Sequence, residues 1–186
     1  MLELAHRKLE ERLDELQKAI GAIVRERGGA AEIAAIDAVL AYLERSAARH
    51  EEDEELSFFP RLRGAPGSDL APLLADLTAE HHLHRHLVGQ LRSLRNRWPA
   101  AGPDAGQRAS LVVMVGELIR TYRSHTERED RELLPAARDR LTASDHAGIL
   151  IEMDRRRLGH EHNDRTLGAS GRRRYPAGSG PRIREL

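Results

Sequence analysis

Four positions of this chain recur at one fixed separation. His6, the pair His50-x-x-x-Glu54 and Pro60 return 75 residues later as His81, His125-x-x-x-Glu129 and Pro135. The local strings are HEEDEELSFFP and HTEREDRELLP. Apolar positions keep the same shift: Leu13 to Val88, Leu16 to Leu91, Leu40 to Val115, Leu43 to Leu118. A doubled helical hairpin that turns two His and one Glu per half toward one centre predicts a two-metal site. Imidazole together with carboxylate suits iron, manganese or zinc.

Helical geometry sorts these residues by direction. At about 100° per residue, His50 and Glu54 fall roughly 20° either side of Leu43, and His125 and Glu129 do the same about Leu118. His6 falls about 20° from Leu13. On the helix carrying the string HHLHRH, His81 and His84 face the apolar stripe, while His82 and His86 face away. His81 also satisfies the repeat, whereas the mate of His84 is Leu9. His84 therefore stays open as an additional ligand or a neighbour of the ligands. Glu51, Glu52, Asp53, Glu55, Glu127 and Asp130 are expected to form a solvated acidic face. Tyr122, Trp98, Phe58 and Phe59 are expected to pack, with Tyr122 one turn from His125 and within reach of the site. Two inward carboxylates with no inward Arg or Lys near them would be costly to bury, which predicts a metal pair as counter-charge.

The positioning elements read as helices with period 3.6, and no segment shows a convincing period of two. The expected helices run roughly 2–27, 31–59, 70–98 and 105–140, with a short fifth helix capped by Thr142 and ending near Leu158. Gly28-Gly29, then Pro60 with Gly64-Ala65-Pro66-Gly67, are read as breaks, and Ser68 or Asp69 as a cap for the third helix. Short connections make consecutive helices antiparallel neighbours. The fold class is all-α: an up-down-up-down four-helix bundle over residues 1–158. Gly, Pro, Ser and Arg dominate 159–186, which reads as a basic disordered tail.

The chain has 186 residues and no cysteine, which excludes disulfides, thiolate metal sites and cysteine catalysis. No apolar run has the length of a membrane span, and the charged start MLELAHRKLE lacks a signal-peptide core, so a cytoplasmic monomer is expected. Net charge is zero, yet residues 155–186 carry nine Arg against Glu161, Asp164 and Glu185. Arg155–Arg157 and Arg172–Arg174 would suit phosphate contacts in a nucleic-acid-binding regulator. The tail has one aromatic residue and no reading motif, so a solubilising extension is the preferred reading.

The arrangement resembles the hemerythrin family, in its bacterial HHE cation-binding branch. The resemblance rests on His6, His50-Glu54, His81 within Ala79-Glu80-His81, His125-Glu129, and the endings Phe59-Pro60 and Leu134-Pro135. It implies a non-haem centre of two iron ions joined by an oxo or hydroxo group, bridged by Glu54 and Glu129, with four terminal His. It also implies open positions for dioxygen, hydrogen peroxide or nitric oxide, and a possible peroxide- or nitric-oxide-consuming activity. Oxygen-carrying members use five His and an Asp where this chain has Glu129. That difference leans toward sensing, stress defence or iron handling, the last as iron sensing or donation to damaged iron centres.

Overall fold

Every regular element is helical, and no strand forms among the described residues. The computed structural model describes residues 2–67, 69–99 and 101–170. Helix α1 (Leu2–Val24) buries Leu9, Leu13, Leu16, Ile20 and Ile23 along one stripe. It ends three residues earlier than predicted. Glu26 adopts φ 58° and the chain turns there, with Gly28 so close to Ile23 that a Cβ would lie 2.7 Å from its side chain.

Helix α2 is continuous over residues 30–64. Regular helix over Ala30–Tyr42, Ala48–Asp53 and Phe59–Gly64 is joined by wider π turns at Leu43–Ala47 and Glu54–Phe58. Pro60, read as a break, therefore lies inside a helix. Proline lacks an N–H and its ring crowds the carbonyl one turn back; the π turn just before it absorbs both defects. Helix α4 repeats the device 75 residues on. Its regular segment Ala105–Arg128 passes through a π turn at Glu129–Leu133 into Leu134–Arg140, which contains Pro135. Each of these two π turns begins at a repeated Glu.

Helix α3 (Ala71–Asn96) starts behind Leu70, not a polar cap. Asp69 accepts a hydrogen bond from Arg140 instead, and Ser68 lies outside the described residues. Asp104 and Gln107 cap α4 reciprocally. Thr142 and Asp145 do the same for α5 (Ala143–Ser170). That last helix continues twelve residues past its expected end near Leu158, because an isolated glycine such as Gly159 weakens a helix by only about 1 kcal/mol. The expectation of a disordered tail otherwise falls on 171–186, outside the described residues.

The helices pack as a bundle. α1 lies against α2 and α4, α3 lies against α4 and α2, and α5 packs on the Glu54–Phe58 turn of α2. Two apolar cores result. One gathers Leu13, Leu16, Leu40, Leu91 and Leu118; the other gathers Phe59, Leu62, Leu77, Leu133 and Met153. On α1 to α4 the repeated His and Glu fall between the residues of these cores or at their edge. They form a polar layer closed in by hydrocarbon. No helix among the described residues is long and apolar enough to cross a membrane.

Candidate metal centre

The six repeated residues converge. His6, His50, Glu54 and Glu129 bring ligand atoms within 4.8 Å of one another, and so do Glu54, His81, His125 and Glu129. The two groups share both carboxylates. Each group thus offers two imidazoles and the same two glutamates, the donor set of a paired cation site.

Carboxylates behind the rings fix which nitrogen faces inward. Nδ1 of His81 donates to Glu55 at 2.8 Å, Nδ1 of His125 to Glu80 at 2.8 Å, and Nδ1 of His6 to Asp130 at 2.9 Å. A carboxylate only accepts, so each Nδ1 carries a proton, and in the neutral ring each Nε2 keeps its lone pair. The Nε2 atoms of His81 and His125 then face each other at 3.1 Å. Nε2 of His6 and His50 and all four oxygens of Glu54 and Glu129 are buried without a hydrogen-bond partner. His6 and Glu129 approach to 3.1 Å, and His50 and Glu54 to 3.3 Å, but outside hydrogen-bond alignment. This many converging acceptors is unfavourable unless cations lie among them.

Burial and charge pull these groups in opposite directions when no cation is present. Burial, reinforced by the charge of Glu129, pushes the Glu54 carboxyl well above the usual range. Burial acts the same way on Glu129, but His125 and His6 outweigh it and hold that carboxyl below the usual range. Burial lowers His50 to about 4, so its ring is neutral at pH 7. Burial likewise lowers His81. In His6 and His125 burial is overcome by Glu129 together with Asp130 or Glu80, and both are raised.

His84 lies outside both groups. Its buried ring donates from Nδ1 to Glu51 at 3.1 Å and stacks on Tyr122, while its Nε2 has no hydrogen-bond partner. Tyr122 is buried against that ring, which raises its phenol well above 10 through desolvation. His82 and His86 are exposed, pairing with Arg85 and Gln90.

The acidic face expected of α2 is in large part interior. Glu51 is 3% exposed and Asp53 7%. The π turn at Leu43–Ala47 adds about one residue to a turn, which slips the inward stripe and carries Glu51 onto it. Asp53 is held by Arg156 of α5 at 2.7 Å. Glu55 and Asp130 back the His rings, whereas Glu127 is exposed beside Arg131. The repeat carried a signal for this backing: Glu55 and Asp130 are themselves 75 residues apart, each next to a converging Glu. Glu80 had none, because its mate is Ala5.

A helical bundle with two overlapping His/Glu clusters between apolar cores defines a cation-binding helical protein. The chain belongs to the hemerythrin family: the Hemerythrin HHE cation binding domain matches residues 1–137. The match ends before α5. No curated protein matches the chain.

Proposed function

We propose that this chain is a non-haem di-iron protein, built on four helices running up-down-up-down, that binds or reduces dioxygen, hydrogen peroxide or nitric oxide. The observation that carries the reading is the inward convergence of four imidazole Nε2 atoms and two shared, buried carboxylates. His6 and His50 would hold one iron, His81 and His125 the other, with Glu54 and Glu129 common to both. Iron bound there would supply an Fe(II)/Fe(III) couple for electron transfer to the oxidant.

The chain's own residues set the conditions for that chemistry. Glu55, Glu80 and Asp130 hold three rings in one tautomer and orientation, which strengthens their Nε2 donors. Phe59 stacks on His81, with centroids 5.9 Å apart, and keeps water from that side. A cavity of about 330 Å³ lined by Leu2, Phe58, Leu134, Ile149 and Met153 reaches Glu54. Its walls are mostly apolar, with Glu3, Asp53, Arg138 and His146 also on its lining, and suit a small ligand.

The test is iron analysis with optical spectra. We expect two iron atoms per chain, near-ultraviolet charge-transfer absorption, and a spectral change when reduced protein meets at least one of the three oxidants. Folded protein expressed with ample iron yet free of transition metal would overturn the reading. Inertness toward all three oxidants would favour iron handling instead. One observation already points that way: a second cavity, of about 270 Å³, opens directly onto His50.

A further inference from the structure

The two halves of the repeat are not chemically equal at the site. His125 is backed by Glu80, whose other oxygen is fixed by Arg128 at 2.6 Å. The repeat mate of His125 is His50, and the position matching Glu80 is Ala5, which has no carboxylate to offer. His81 is backed by Glu55, which Arg85 holds in turn at 3.4 Å. The matching partner of His6 is Asp130, half-exposed at 51%. Side-chain exposure follows the same division: 0% and 5% for His81 and His125, against 6% and 17% for His6 and His50. Access does too. Ala5 and His50 line one cavity of about 270 Å³, whereas His81 and His125 line none of the cavities described, the one of about 520 Å³ on their side stopping at Glu55 and Arg85 behind His81.

We infer that the two cation positions differ in affinity and exchange. The position between His81 and His125 is the tight, closed one. The position between His6 and His50 is the exchangeable one, loaded and emptied through the Ala5–His50 cavity. The reason is general: a ligating imidazole with a carboxylate behind it is oriented and more basic, and loss of that partner weakens metal affinity about 10- to 100-fold. An imidazole beside a solvent-sized cavity also lets a chelator or water reach the metal. This inference rests on the two-metal reading above and adds which half of the site gives up its ion.

The experiment follows metal release from full-length protein loaded with Fe(II) under anaerobic conditions, using excess chelator and measuring metal content over time. Two phases of one equivalent each are expected, separated about tenfold or more in rate. Ala5→Glu puts a carboxylate into the cavity facing His50, and should slow the fast phase toward the slow one. Glu80→Ala should speed the slow phase and bring the two together. His50→Ala should keep the slowly released equivalent, and His125→Ala should lose it; Co(II) spectra of each variant report whether the remaining site is intact. Release of both ions in one phase from the parent protein overturns the inference while leaving the two-metal reading in place. So does an unchanged fast phase in Ala5→Glu with normal folding. Failure of the parent chain to take up two metals overturns the underlying reading itself.

Discussion

The ring of His84 lies flat on Tyr122, centroids 3.8 Å apart and planes 19° from parallel, while its Nδ1 reaches Glu51. These contacts place His84 beside the converging residues and outside both groups. His84→Leu is expected to retain both metals. It leaves buried Glu51 with Arg85 alone, so stability should fall by about 1–3 kcal/mol. Metal analysis and a denaturant melt check both. Loss of one metal per chain would make His84 a ligand.

The four histidines of the HHLHRH string should separate cleanly. His81→Ala removes an Nε2 that faces the shared carboxylates, and metal content should drop by at least half. His82→Ala and His86→Ala change exposed rings and should leave it unchanged. Metal stoichiometry after parallel purification is the measurement. The reverse pattern would mean that the inward face of α3 is misassigned.

Glu54 gives a prediction about pH and stability. Its folded carboxyl titrates above the ordinary 4.5, so in metal-free protein the folded state keeps a proton that the unfolded chain releases. The Glu54 contribution to the stability of metal-free protein should then fall as pH rises past about 4.5, since the folded state binds the extra proton, while His50 and His81, lowered by burial, contribute in the opposite direction up to about 6.5. Glu54→Gln removes only this share, so the gap between variant and metal-free parent should widen in the variant's favour from pH 5 to pH 7.5. The same variant should lose most of its metal. Urea melts at pH 5 and pH 7.5 decide the first point, and metal analysis the second.

Arg156 connects α5 to the helix that carries His50 and Glu54. It donates to Asp53 from Nε at 2.8 Å and to Ser57 Oγ, also at 2.8 Å. Arg156→Ala leaves a nearly buried carboxylate with weaker company, and is expected to cost about 1–3 kcal/mol. Chain cut after Leu158 keeps Ile149, Met153 and Arg156 and should lose much less. Thermal melts of the two proteins, compared with the parent, test whether this contact fastens α5.

The sequence by itself determined the all-helical class, the approximate course of the helices and the six converging residues. Both follow from local rules: an apolar stripe at helical spacing must turn inward, and a repeat 75 residues long carries the His and Glu of one hairpin onto the other. The residues around the centre were settled only in three dimensions. Glu55 lies 26 residues from His81, Glu80 lies 45 from His125, and Asp130 lies 124 from His6, so no local pattern pairs them, although the repeat offset singles out Glu55 and Asp130. Pro60 read as a break because a sequence does not show that the turn before it can widen. Once it widened, and a second π turn shifted the stripe upstream, Glu51 moved from the expected acidic face into the interior. Asp53 was likewise enclosed by α5, a helix whose own sequence gives no sign of where it docks. Tertiary packing decided these points because the burial of a carboxylate depends on which distant partner reaches it.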